Sequence, residues 1–190
     1  MERLGAAIRA GVTLTSLLLS CAVVQAAPLT YLVNQTIGKG SVIGFIETDG
    51  SMGVLAAGNF VDWNLLLSDG TNTFRLTGPL SGNNSQVVVT GTDVGAFNNF
   101  LFFNFSGIDK GTLLFSQGSL SRAPYYCDSS QPYICIPGET VDPFDGYQNV
   151  RLHGNVVIGT LDAAPEPGTF GLLLLGCGWL ARRFSSNSTK

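Results

Sequence analysis

Two cysteines and one histidine are the side chains in the middle of the chain that could hold a metal or carry redox chemistry. Cys127 and Cys135 lie eight positions apart around a polar segment, and His153 follows them. A redox pair typically has a Cys-x-x-Cys spacing, and a structural zinc site needs about four Cys or His ligands. Neither requirement is met, so we expect no metal and no cofactor. We expect a disulfide between Cys127 and Cys135, provided that the chain matures in an oxidising compartment.

Carboxylates could instead support glycan hydrolysis, which uses two facing acids. Asp109, Asp142 and Asp145 lie in segments without a strand pattern, and the segment 142–146 also offers oxygen atoms to a calcium ion. Aspartates in loops, however, are usually turn formers or solvated charges. A Ser-His-Asp hydrolase would need His153 as its base, and no Gly-x-Ser-x-Gly motif accompanies it. We therefore expect no enzymatic activity and keep a small glycan hydrolase as the third hypothesis.

Aromatic side chains cluster in the segment 121–148, where strand patterning is weakest. They include Tyr125, Tyr126, Tyr133 and Tyr147. Aromatic faces bind sugar rings well, because they combine apolar area with a polar edge. These tyrosines are the candidate ligand-binding residues. The alternative is that they pack against the disulfide loop.

The elements that must position these groups follow strand patterns and show no long helical period. Trp63, Leu65 and Leu67 share one face of a strand, and Leu101 and Phe103 share a face of another. Regularly spaced short strands of this kind indicate an antiparallel sandwich or barrel. The predicted strands are 30–37, 41–48, 60–67, 73–80, 86–90, 100–105, 112–115 and 150–161. The predicted fold is one all-β ectodomain over residues 27–163.

Turn residues separate the predicted strands. Asp69-Gly70-Thr71-Asn72 predicts a hairpin loop, because Gly and Asn tolerate positive φ. The segment 54–57 predicts one helical turn. His153 is expected within the last strand, where a solvated or hydrogen-bonded role is the simplest one.

The first 26 residues have the layout of a secretory signal peptide. Arg3 and Arg9 precede an uncharged, mostly apolar stretch that runs to Val24, and Ala26 supplies the small residue before a cleavage site. We expect cleavage after Ala26. Two alternatives stay open, namely a retained membrane helix and a lipoprotein acylated at Cys21.

Three parts follow one another at the C-terminal end. They are Pro165-Glu166-Pro167, the apolar stretch 168–181, and Arg182-Arg183. In this order they resemble the PEP-CTERM sorting signal, here over residues 164–184 with a polar tail over 185–190. The resemblance implies processing by a membrane-embedded exosortase and delivery to the surface of a bacterium that secretes exopolysaccharide. The apolar stretch predicts a short transmembrane helix before processing.

A second resemblance covers the earlier part of the ectodomain. The segments 40–50, 62–70 and 103–107 are similar to an ectodomain that recurs among PEP-CTERM proteins. That ectodomain brings no assigned activity with it.

The charge of the ectodomain argues against nucleic acid as a partner. Five basic side chains stand against eleven acidic ones, and neither sign is clustered. A phosphate backbone needs clustered Lys and Arg. The sequence therefore favours an exported, exosortase-sorted surface or extracellular-matrix protein that is non-enzymatic and associated with exopolysaccharide. The alternative is a carbohydrate-binding module that uses the aromatic residues of the segment 125–147.

Overall fold

A computed structural model describes residues 27–118, 124–144 and 146–162. Within them the chain forms thirteen β-strands and one 3-10 turn, Ala57–Asn59. The strands are β1 Leu29–Ile37, β2 Gly40–Thr48, β3 Gly53–Val54, β4 Phe60–Ser68, β5 Thr73–Thr77, β6 Gln86–Thr90, β7 Val94–Phe97, β8 Phe100–Asn104, β9 Thr112–Ser116, β10 Tyr125–Ser129, β11 Gly138–Asp142, β12 Gln148–Val150 and β13 Asn155–Leu161.

The strands form two antiparallel sheets. The larger sheet has eight strands in the order β3-β7-β8-β13-β1-β2-β4-β5, and the smaller has five in the order β12-β11-β10-β9-β6. Apolar residues from both sheets share one core. The all-β prediction is confirmed. Two separate sheets around a shared core correspond to the sandwich alternative of that prediction.

Alternation along each strand decides which side chains enter the core. Trp63, Leu65 and Leu67 are buried on β4, and Leu101 and Phe103 are buried on β8, as their spacing predicts. Their neighbours in sequence point to the outer face of the eight-stranded sheet.

Aromatic rings join the two sheets at the centre of the core. The Phe115 ring on β9 lies 5.2 Å from the Trp63 ring and 5.8 Å from the Phe60 ring, both on β4. It also stacks on Tyr126 of β10, with the ring centroids 6.3 Å apart. Since Phe60 and Trp63 belong to one sheet and Phe115 and Tyr126 to the other, these contacts hold the layers together.

The predicted hairpin loop joins β4 and β5. The Asp69 carboxylate accepts hydrogen bonds from the backbone N–H of Thr71 at 2.7 Å and of Asn72 at 2.6 Å. Gly70 supplies the positive φ, +95°, that the turn requires. The loop prediction is confirmed, and β5 ends at Thr77 rather than at residue 80.

Several strands were not predicted, and one prediction is wrong. The unpredicted strands are β3, β7, β10 and β11. Every residue of β10 is buried, so the polar–apolar alternation that marks a strand is absent there. The predicted strand 150–161 is interrupted after Val150 and resumes at Asn155, with Gly154 turning the chain at φ +70°. His153 therefore lies exposed in a connection and not in a strand.

Candidate functional site

The outer face of the five-stranded sheet is covered by a loop of the same chain. This loop, residues 130–137 and called here the disulfide loop, follows β10 and bonds Cys135 back to Cys127, with the two Cα atoms 6.5 Å apart. The predicted disulfide is confirmed. Leu114 and Tyr125 are buried beneath the loop in a second, smaller apolar cluster. As a result β9 and β10 are buried on both faces.

A hollow of about 350 Å³ opens between β10 and the disulfide loop. Its walls are Tyr125, Pro132, Ile134, Cys135, Ile136 and Pro137. Burial first, and then the charges of Asp142 and Tyr147, raises the pKa of Tyr125 to about 12. The Tyr125 hydroxyl is therefore protonated at neutral pH. The hollow combines apolar walls with the Tyr125 phenol group, and Asp142 and Tyr147 lie near enough to act on the pKa of that phenol. Apolar walls with a few polar groups suit a sugar ring.

The four tyrosines predicted to bind a ligand divide into three settings. Tyr133 in the disulfide loop is 84% exposed, and Tyr147 after β11 is 55% exposed. Tyr125 lines the hollow but is largely buried. Tyr126 is fully buried in the core. Adjacent residues of a strand point to opposite faces, so Tyr125 and Tyr126 cannot share one surface. Tyr126 is a core residue, so its prediction as a ligand-binding residue is wrong.

Tyr126 belongs to a buried polar cluster that the sequence patterns did not identify. Its hydroxyl oxygen lies 3.0 Å from Asp128 Oδ2 and 2.9 Å from Glu139 Oε1. Asp128 and Glu139 are directly opposite each other on β10 and β11. Once β10 is known to be a strand, the two-residue spacing of Tyr126 and Asp128 places both on its core face. The pairing with Glu139 depends on a register that no local pattern encodes.

The cluster retains a proton at neutral pH. Burial raises the pKa of Glu139 to about 7, and burial together with the charge of Glu139 raises the pKa of Asp128. A phenol has one hydrogen, so Tyr126 can donate to only one of the two carboxyl groups at a time. The second contact is satisfied when the other carboxyl group is protonated and donates to the phenol oxygen. Because all three side chains are enclosed in the core, the cluster affects the stability of the fold and does not contact a ligand.

The remaining candidate acids do not face each other. Asp109 precedes β9, whereas Asp142 ends β11 at the level of Ser116, the last residue of β9. The length of β9 alone separates these levels by about 13 Å. Paired catalytic carboxylates lie roughly 5–9.5 Å apart. Among the described residues, no group of three or more His, Cys, Asp or Glu side chains is placed to hold a metal ion.

The other predicted site residues lie outside the described residues. They are Asp145, Pro165, Glu166, Pro167, Arg182 and Arg183. Over the described ranges, no helix is both long enough and apolar enough to cross a bilayer.

The buried cluster predicts greater stability in weak acid than in weak base. The pKa of Glu139 is higher in the folded state than in the unfolded state, so the folded state binds the proton more tightly. The resulting stabilisation is complete below about pH 4 and is lost as the pH rises through about 7. We expect the free energy of unfolding at pH 8 to be about 2 kcal/mol lower than at pH 5. Urea denaturation at a series of pH values measures this difference.

Two variants separate the cluster from other carboxyl groups. Glu139→Gln keeps the shape but removes the titrating group, so the difference between pH 5 and pH 8 should shrink. In Asp69→Asn the difference should persist, because the hydrogen bonds of its loop hold the pKa of Asp69 below the usual value and hence below this range. A Glu139→Gln variant with the full wild-type difference would contradict the shared-proton account.

The site is thus defined by the geometry of this chain: a disulfide-held aromatic hollow outside the small sheet and a proton-sharing cluster inside it. Comparisons with protein-family models, curated proteins and solved structures find no match to the chain.

Proposed function

We propose that this chain is an exported, exosortase-sorted protein of the bacterial cell surface or extracellular matrix, acting without catalysis and associated with exopolysaccharide. The observation that carries the proposal is the order of three parts within residues 164–184. A Pro-Glu-Pro triplet, an apolar stretch and an arginine pair follow one another there. This order resembles the PEP-CTERM sorting signal, whose partner is an exosortase.

The length of the apolar stretch fits a temporary membrane anchor. Residues 168–181 would span about 21 Å as a helix, less than the ~30 Å thickness of the hydrocarbon core. Pro165 and Pro167 lack backbone N–H groups and favour an extended chain, which suits protease access. Arg182 and Arg183 favour the cytoplasmic side and would stop transfer.

The disulfide supports export. Disulfides persist in the periplasm and outside the cell, and they are rare in a reducing cytoplasm. Here the Cys127–Cys135 bond closes the loop that covers the small sheet, so oxidation contributes to the folded ectodomain. An oxidising compartment is therefore needed to close the disulfide loop over the small sheet.

The sorting proposal predicts a defined mature C-terminus. Protein recovered from the cell surface and medium of its own host should end near Pro165–Pro167, as measured by mass spectrometry of the C-terminal peptide. A variant with Pro165, Glu166 and Pro167 all changed to Ala should stay in the membrane fraction and end at Lys190. Wild-type protein that ends at Lys190 and occurs in the membrane fraction alone would contradict the proposal.

Carbohydrate binding by the ectodomain is a second candidate function. It is favoured by the exposure of Tyr133 and Tyr147 and by the position of Tyr125 in the wall of the hollow, where both Asp142 and Tyr147 act on the pKa of Tyr125. Exposed tyrosines offer a stacking face to a sugar, and their hydroxyl groups offer polar contacts. The ligand would be the host's own exopolysaccharide.

This second function predicts that the exposed tyrosines control retention on the polysaccharide. Tyr133→Ala combined with Tyr147→Ala should weaken retention on the immobilised native polymer about tenfold or more, since each change removes an aromatic contact. Phe97→Ala is the matched control, because Phe97 is similarly exposed but belongs to the other sheet. Equal retention of the double variant and the control would argue against this role.

A further inference from the structure

An apolar groove of about 470 Å³ crosses the outer face of the eight-stranded sheet. Its apolar lining comes from β3, β7, β8 and β13. These side chains are Val54, Phe97, Phe100, Phe102 and Val157. Phe97 is 64% exposed and Phe100 is 46% exposed, although both are large apolar residues. Contiguous exposed apolar side chains of this kind mark interaction sites.

The groove lies where the described chain ends. The backbone N–H of Leu161, the last residue of β13, donates to the carbonyl oxygen of Asn99 at 2.7 Å. Asn99 belongs to the turn that joins β7 to β8, between Phe97 and Phe100. Thr160 is paired with Phe100 in the sheet. The chain therefore leaves the sandwich beside the two exposed phenylalanines.

The distance from this exit to the apolar C-terminal stretch is short. Residues 163–167 separate Asp162 from Gly168, where that stretch begins. A fully extended chain covers at most about 3.6 Å per residue, so the two points lie no more than about 22 Å apart. Insertion of the stretch would hold the β7–β8 turn close to the bilayer at a high effective concentration.

We propose that the groove is a membrane-docking surface, with Phe97 and Phe100 entering the lipid interface while the C-terminal stretch is inserted. This inference rests on the proposed function, because it requires the inserted stretch. None of the residues that line the groove is charged, so docking desolvates no charge. Asn98 and Asn99 at the turn provide amide groups suited to the polar headgroup region.

A bilayer fits the groove better than a second copy of the chain does. A stable interface between proteins engages about 20 residues on each partner. The groove is lined by eight residues, five of them large and apolar. Aromatic side chains at the end of a domain that is tethered to lipid match the enrichment of aromatic residues at membrane interfaces.

Fluorescence quenching by brominated lipid tests this docking on the full chain. The chain is reconstituted into phosphatidylcholine vesicles whose acyl chains carry bromine. Native Trp179 in the apolar stretch reports its insertion, and Phe100→Trp in a Trp179→Phe background reports the groove. Trp63, the other native tryptophan, is buried in the core and contributes the same background to every variant. Ile43→Trp in the same background is the control. Ile43 is 49% exposed on the same sheet face. It lies on β2, two strands from β13, and about 10 Å along β2 from the level of Leu161.

The expected result is quenching of the Phe100→Trp variant several-fold above that of the Ile43→Trp variant. Equal quenching of the two, with Trp179 quenched in the wild type, would overturn the docking proposal and leave the sorting proposal intact. Absence of Trp179 quenching would overturn both. Val157→Trp is a second reporter in the groove should Phe100→Trp fail to unfold cooperatively, and the same quenching criterion applies to it.

Discussion

The central strands β9 and β10 of the five-stranded sheet are covered on both faces, and much of the structure follows from this constraint. The inner face of the sheet packs on the larger sheet through Phe115 and Tyr126, and its outer face lies under the disulfide loop through Leu114 and Tyr125. An antiparallel sheet commonly leaves one face in water. Here the Cys127–Cys135 bond holds the cover in place, so the second apolar cluster depends on oxidation.

Burial of the inner face against the larger sheet explains why the polar groups on that face take unusual states. Asp128 and Glu139 have no access to bulk water, so they need Tyr126 and a retained proton to be satisfied. The outer faces of the two sheets then differ in chemistry. The disulfide side presents a hollow lined by the Tyr125 phenol and apolar side chains, whereas the other side presents an apolar groove beside the chain's exit. The proposed polysaccharide site thus lies on the outer face of the small sheet. The proposed membrane-docking surface lies on the outer face of the large sheet and acts before the C-terminal stretch is processed.

Sequence patterns predicted the strands whose side chains alternate or form an apolar run between turn residues, and missed the short strands β3 and β7 and the polar-rich strands β10 and β11. β1, β2, β4, β6 and β9 were found close to their true bounds, because alternation and turn residues mark them. β10 carries no such alternation, and its tyrosines were therefore assigned to a loop. The disulfide was predictable because an exported chain matures in an oxidising compartment, and because the eight-residue spacing and the single histidine argue against a redox pair or a metal site. The contact of Tyr126 with Glu139 was not predictable, since it depends on a strand register that the whole sheet sets.

The most direct test of this account is the state of Cys127 and Cys135 in protein isolated from its own host, together with the effect of reduction on stability. The account predicts a linked pair of peptides in an unreduced digest. It also predicts that reduction lowers the free energy of unfolding by about 2–3 kcal/mol and speeds hydrogen exchange at Leu114 and Tyr125. Two free thiols in the native protein, or a stability that reduction leaves unchanged, would contradict it.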